Sequence, residues 1–263
     1  MADDRAFMDH WVDIDPERME RYETMFQWNP ATEAYYAHAK IGPGQVVADF
    51  GCGPGHAAIE FARRVGPSGR VHAMDINAEF ITRTRERDEA ENLSDRIFAH
   101  LLEDARLPLP DGTLDRVIVR NTIVYVQDPL DTFREFRRTL KPGGIAHAIE
   151  SDWRLTLVEP VPTQEWTELM SAASWAWRWP EIGRNLYGIA RRAGFDDVAL
   201  EVLVTPDMDG RFLGMIRNIA GYARESGSLD GQRIDAILRT VERGLAEQTY
   251  LAVAPQFVVT ATA

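Results

Sequence analysis

A chain of 263 residues that is 45% hydrophobic has material for one large core, or for one core with a cap. Its net charge of −12 repels phosphate backbones and argues against nucleic acid as a substrate. The single cysteine, Cys52, excludes an intrachain disulfide and fits a reducing cytoplasm. No apolar run reaches the length of a membrane span, so a soluble, unanchored protein is expected. Only Lys40 and Lys141 are lysines, which reads as genomic base bias and not as a binding patch.

Residues 1–40 are polar and aromatic and form an expected N-terminal helical cap. Asp15 before Pro16 has the form of an N-cap followed by proline at the first helical position, and Asn29-Pro30 starts a further helix. Tyr22, Met25 and Phe26 share one helical face. They pack a helix on the core, or else Tyr22, Met25 or Trp28 closes over a ligand.

Residues 41–151 alternate strand and helix. Strands are predicted at 45–50, 70–75, 96–101, 115–120 and 144–150, and helices at 55–66, 77–89 and 129–140. Such alternation predicts a parallel sheet covered on both faces, with ligands bound beyond the carboxyl ends of the strands. Asp49, Asp75, Asp104 and Asn121 all fall at such ends. The first strand runs into Asp49-Phe50-Gly51-Cys52-Gly53-Pro54-Gly55, where glycines let backbone N–H groups approach a ligand. Asp75, at the tip of the second strand, is placed to accept hydrogen bonds from ribose hydroxyls. The loop is G-x-G-x-G, not the G-x-G-x-x-G of dinucleotide sites, and a carboxylate at Asp49 suits an ammonium group better than a pyrophosphate. A cofactor carrying a ribose and a cation is expected. Cys52 reads first as a small residue filling the turn.

Four further segments accompany the loop and the ribose acid: Asp104-Ala105, Leu107-Pro108, Asp111-Gly112-Thr113-Leu114-Asp115 and Leu140-Lys141-Pro142-Gly143-Gly144. With them, residues 40–150 resemble the class I S-adenosylmethionine (SAM) methyltransferases. Arg120-Asn121 is similar to the R-N pair of the quinone-biosynthesis C-methyltransferase group. The resemblance implies a Rossmann-like α/β sheet, mostly parallel with an antiparallel last strand, and helical cap insertions. It implies SAM as cofactor. Asp49, Gly51, Cys52, Gly53 and Gly55 would hold the methionine moiety, Asp75 and Ile76 the ribose, Asp104 and Ala105 the adenine. Asn121, Arg120 and Tyr22 would lie at the methionine end. Asp115 is expected only to brace the fourth strand.

Residues 152–180 hold five of the seven tryptophans. Trp166, Leu169, Met170, Ala173 and Trp177 follow helical spacing, so the segment is a core-packed helix or a lid insertion. In the lid reading Trp153, Trp175 and Trp179, with Trp28, face the substrate. Residues 181–263 complete the core with a helix at 182–193, a strand at 198–204 and a last strand at 250–260. A helical insertion at 211–246 interrupts them, with Phe212, Met215, Ile216 and Ile219 on one stripe.

The expected function is SAM-dependent methyl transfer to a C, N or O atom of a small aromatic or heterocyclic metabolite, by a monomer or homodimer. Two alternatives stand beside it: an NAD(P)-dependent oxidoreductase, and a SAM-binding protein that steers a cyclisation or senses SAM without transferring methyl. The histidines show no i,i+4 pairing, so no metal is expected. Asp152 is the candidate proton acceptor, Arg120 a candidate anion site, and Tyr125 a candidate orienting hydroxyl, since tyrosine has a pKa near 10.

Overall fold

The computed structural model describes residues 11–263, apart from the side chains of residues 30 and 31. The first ten residues of the expected cap, His10 included, lie outside that range. Nine strands follow in chain order: β1 Val46–Phe50, β2 Arg70–Asp75, β3 Ile97–Leu101, β4 Leu114–Arg120, β5 Leu140–Ser151, β6 Leu157–Glu159, β7 Asp197–Leu203, β8 Leu251–Val253 and β9 Gln256–Thr262. Among the described residues the α-helices are α1 Pro16–Met25, α2 Pro30–Tyr36, α3 His56–Val65, α4 Ala78–Ala90, α5 Pro129–Thr139, α6 Thr163–Ala172, α7 Ile182–Arg192, α8 Leu213–Ser226 and α9 Gly231–Ala246.

Seven strands form one sheet in the order β3-β2-β1-β4-β5-β9-β7. The first five are parallel, and β9 runs antiparallel between β5 and β7. Central strands read as continuous apolar runs because both faces are covered. Val47, Phe61 and Ile118 pack on one face, while Ala48, Phe133 and Phe136 pack on the other. Chain order reverses between β1 and β4, which opens the crevice where α/β proteins bind ligands.

The helices start where the sequence signals them. The Asp15 carboxylate accepts from Arg18 N at 2.9 Å and Pro16 occupies the first turn of α1. Asn77 accepts from Phe80 N at 2.9 Å at the head of α4, and Asp128 with Pro129 starts α5. Asp115 braces two neighbouring strands, accepting from Val46 N at 2.8 Å and from Lys141 Nζ at 2.9 Å.

Several boundaries differ from expectation. β5 begins at Leu140 because the Pro142-Gly143-Gly144 turn remains within the strand, with a register shift opposite Leu114 and Arg116. The last strand is split at Ala254-Pro255, and its first piece, β8, pairs with β6 in a separate two-stranded sheet. Three-residue strands are too short for periodicity to reveal. The expected tryptophan helix stops at Ala172, so Trp177 leaves the helical stripe and stacks on Trp153 at 4.8 Å. α8 packs on both α6 and α9, covering the carboxyl edge of the sheet.

Candidate active site

A cavity of about 1560 Å³ lies along the carboxyl ends of β1, β2, β4 and β5 and the amino end of the antiparallel β9, beneath α1 and α8. Its wall includes Asp49, Gly51, Cys52, Gly53, Asp75, Ile76, Asp104, Ala105, Arg120, Asn121, Tyr22, Tyr125 and Trp153. Positions as far apart in sequence as Trp11 and Gln256 thus line one cavity because strand ends meet; no local pattern joins Tyr22 to Trp153.

The glycine loop is shaped by close approach. Gly51 has φ +76°, and a Cβ there would collide with the Thr122 side chain. Gly51 N and Cys52 N both donate to Met74 O, at 2.8 and 3.0 Å, which turns the loop back across β2. Cys52 is buried, and burial together with the Asp75 and Asp49 charges raises its thiol pKa, so it is not a thiolate nucleophile.

Three carboxyl groups line the β1–β3 side of the cavity. Asp75 Oδ2 accepts from Gly53 N at 2.9 Å and Oδ1 from Asn77 N at 3.0 Å. A carboxylate has about four lone-pair sites, so it retains capacity for two hydroxyl donors. Burial lifts the Asp75 pKa to about 6, against the pull of those backbone donors. Asp49 is 5% exposed, and its Oδ2 has no hydrogen-bond partner. Burial, with the Asp75 charge added, pushes its pKa up to about 7. A buried, half-unpartnered carboxyl on a cavity wall suits a cationic ligand group. Asp104 is exposed and accepts from Arg106 N at 2.8 Å, leaving its other oxygen toward the cavity mouth.

The far side is built by β4, β5 and β9. Arg120 lies 4.8 Å over the Tyr35 ring, and its Nε has no hydrogen-bond partner. Asn121 takes a left-handed φ of +51°. Glu150 is fully buried, accepts from Thr122 N and Ile123 N at 2.7 and 2.6 Å, and has its pKa pushed up to about 8 by burial. It fixes the turn that presents Asn121 and Tyr125. Burial raises the Tyr125 hydroxyl well above its ordinary range, so it can donate or accept a hydrogen bond but stays protonated.

Another part of the wall is aromatic and apolar, with Phe26, Trp153, Trp177, Phe212, Met215 and Tyr222, while charged side chains such as Asp128, Asp131, Asp207 and Arg211 line the rest. Among them Asn218, from α8, is 8% exposed. Sequence reading passed over it, although one amide beside the Phe212-Met215-Ile216-Ile219 stripe is a visible signal. Gln256, Tyr35 and Tyr36 were passed over too; nothing local marks them.

Five expected site residues stand elsewhere. Asp152 is fully buried off the cavity wall, ion-paired to Arg184 through both carboxylate oxygens, with Nη2 at 2.9 Å from Oδ1. It staples β5 to α7 and is not placed to take a proton from a ligand. Gly55, at φ +86°, is closed off by α4, since a Cβ would sit 2.6 Å from Thr84 Oγ1. Trp28 stacks on Tyr36 at 5.1 Å beneath Arg64. Trp175 donates to Tyr222 O at 2.8 Å and packs its edge on that residue's ring. Trp179 donates to Val126 O at 2.9 Å. Trp28 and Trp175 are taken up by these contacts, and Trp179, 38% exposed, stands off the cavity wall. Among the described residues no three metal-ligating side chains cluster.

Residues 47–144 match the family model Methyltransf_25, a methyltransferase domain. Methyltransferase GfsG of Streptomyces halstedii is 31% identical over 55% of this chain and 50% of its own length. The chain spans about half the length or less of the first curated relatives it matches. Among solved structures, phosphoethanolamine N-methyltransferase 2 of Haemonchus contortus, in complex with phosphomonomethylethanolamine and S-adenosylhomocysteine, superposes with a TM-score of 0.65. It is 18% identical, covering 100% of this chain and 60% of that one. The [4+2]-cyclase SpnF superposes with a TM-score of 0.58 at 18% identity, covering 88% and 80%. The fold is the Rossmann-like one of these methyltransferase structures, and residues 47–144 match the methyltransferase-domain model. The mostly parallel sheet with one antiparallel strand is the architecture the resemblance implied.

Proposed function

We propose that this chain is a SAM-dependent methyltransferase acting on a small, planar metabolite. The observation that carries the reading is the Asp49 carboxyl, buried on the cavity wall with Oδ2 unpartnered, in line with Asp75 and Asp104 along three successive strand ends. These residues fit SAM. Asp49 would hold the methionyl ammonium and Arg120 Nε the carboxylate; Asp75 would take the ribose hydroxyls and Asp104 the adenine amino group. The bound sulfonium would supply an electrophilic methyl carbon. The chain's own part is alignment and exclusion of water. Tyr22 and Phe26 of α1 and Tyr222 of α8 close the cavity, and aromatic rings tolerate a cation without solvating it strongly. Asp152 and Glu150 lie off the cavity wall, so neither is placed to act as a base. The net charge of −12 supports a small-molecule substrate over nucleic acid, and no helix of the described residues is long and apolar enough to cross a membrane.

Thermal unfolding with S-adenosylhomocysteine (SAH) tests the site. At 100 times Kd a ligand adds about 2.7 kcal/mol, or roughly 5–10 °C in Tm for a chain of this size. A shift with NAD and none with SAH would refute the reading. The cyclase with this fold gives a second reading, SAM binding without methyl transfer. A screen with methyl-labelled SAM against phenols, amines and enolisable carbonyl compounds separates the two.

A further inference from the structure

The SAM site leaves unexplained why Asn121, Ser151 and Gln256 converge on the cavity wall at the ends of β4, β5 and β9. Their hydrogen bonds have a forced direction. Ser151 N can only donate, and it lies 3.3 Å from Asn121 Oδ1, so that end of the amide is the oxygen. The Ser151 hydroxyl, also 3.3 Å from Oδ1, must then donate to it, and its lone pair accepts from Gln256 Nε2 at 2.6 Å. Polarity runs from Gln256 through Ser151 to Asn121. It turns Asn121 Nδ2, with two N–H donors, away from Ser151, and Nδ2 makes no hydrogen bond to the described residues. The backbone adds to this constraint. Asn121 holds φ +51°, which asparagine tolerates, with its N–H donating to Ile149 O at 2.9 Å.

Position in the sheet separates this chain of amides from the nucleoside end. Asp104, Asp75 and Asp49 follow β3, β2 and β1, whereas Asn121, Ser151 and Gln256 belong to the next three strands, β4, β5 and β9. At about 4.8 Å per strand, Gln256 stands roughly 14 Å from β1. The chain therefore begins on the strand next to Asp49, the residue at the methionyl end, and runs away from the nucleoside acids Asp75 and Asp104, toward the wall that holds the stacked Trp153–Trp177 pair.

We infer that Asn121, held in this polarity by Ser151 and Gln256, donates a hydrogen bond to a lone-pair oxygen of the methyl acceptor and so selects planar acceptors bearing a carbonyl, carboxylate or phenolic oxygen. The inference rests on the SAM reading of the same cavity. Asn121 is the reading residue; Ser151 and Gln256 are positioning residues.

The experiment uses the full chain saturated with SAH and two uncharged aromatic probes with equal numbers of heavy atoms: acetophenone, which only accepts hydrogen bonds, and 4-ethylaniline, which donates them. Ligand-observed NMR titration of the unmodified protein should show acetophenone binding tighter by on the order of tenfold, the scale of one buried hydrogen bond. Asn121→Asp keeps an oxygen for Ser151 and the shape of the side chain, but replaces the donor with an acceptor, and should reverse the order. Ser151→Ala keeps the backbone N–H and should narrow the preference without reversing it. The SAH Kd, read by calorimetry, should stay within about threefold in Ser151→Ala, as expected for a positioning residue that the cofactor does not touch. An unchanged preference in Asn121→Asp, or equal binding of the probes to the unmodified protein, overturns the inference. So does a loss of SAH affinity with the preference intact, which would assign Nδ2 to the cofactor carboxylate. Failure of SAH to bind the unmodified protein would instead remove the SAM reading itself.

Discussion

At the scale of single residues, Asp49 shows how burial converts a motif position into a pH-dependent site. Its carboxyl, with a pKa near 7, keeps its proton in the ligand-free protein through much of the acidic range. A ligand ammonium pairs with the ionised form, so binding below pH 7 expels that proton. SAM affinity should rise with pH up to about 7 and level off above it. Calorimetry at pH 6 in buffers of different ionisation heat should find close to one proton released. Asp49→Asn should abolish the slope and weaken binding by about 1.5–3 kcal/mol, the scale of a charge-assisted hydrogen bond. A Kd that does not move between pH 5.5 and 8 would show that Asp49 does not hold the ammonium.

Asp152 illustrates the opposite outcome for a carboxylate near a strand end. Its charge is buried, and the Arg184 side chain that answers it is 44% exposed. Asp152→Asn breaks the pair but leaves the arginine able to reach water, so the cost should fall below the 3–5 kcal/mol of a fully buried pair, at about 2–3 kcal/mol. Tm should drop by roughly 5–10 °C with the SAH Kd unchanged. Retained Tm together with a large loss of turnover would restore the proton-acceptor role.

At the scale of elements, the cap is held by a cluster of ion pairs and by a packed tryptophan. Glu23 of α1 bonds Arg83 Nη1 at 3.0 Å, Arg87 Nη2 at 2.7 Å and His56 Nε2 at 3.1 Å. These contacts pin the helix bearing Tyr22 and Phe26 over the glycine loop. Trp175 does the same between the turn after α6 and α8, through the Tyr222 carbonyl. Trp175→Ala should cost about 2–4 kcal/mol of stability, as core aromatic truncations do, and leave SAH affinity intact. If unfolding is unchanged and acceptor KM rises, Trp175 touches substrate after all. Trp153 and Trp177 occupy the cavity wall instead, because the helix ends before Trp177 and the chain turns that ring onto Trp153.

At the scale of the whole molecule, the buried titratable groups set a pH dependence of stability. Asp49 and Glu150, with pKa values of about 7 and 8, bind protons in the folded protein that the unfolded chain has already lost. Stability therefore falls as pH rises through that range. His72 and His147, lowered to about 4 by burial, act in the opposite sense, but only below about pH 6.5, where the unfolded imidazoles gain protons. The ligand-free protein should thus lose Tm between pH 6.5 and 8.5, and Glu150→Gln should flatten the loss. A Tm that climbs across this interval would contradict the raised carboxyl values.

The amino-acid sequence by itself determined the strand–helix alternation, the glycine loop and the acids at strand tips. Those features are local. Apolar runs, N-caps and turn glycines act within a few residues, and a strand's end fixes where its last carboxylate projects. That is why Asp49, Asp75 and Asp104 could be placed without coordinates. Only the tertiary structure decided which aromatic rings reach the cavity. Trp28, Trp153, Trp175, Trp177 and Trp179 share one chemistry, and what separates them is where the fold sets each ring: Trp153 and Trp177 stack on each other at the cavity wall, and the other three lie off it. The same holds for Asp152 and for the Gln256–Ser151–Asn121 chain. One finds its counter-charge 32 residues away on α7, and the other joins strand ends up to 135 positions apart, linked only by the antiparallel entry of β9 beside β5.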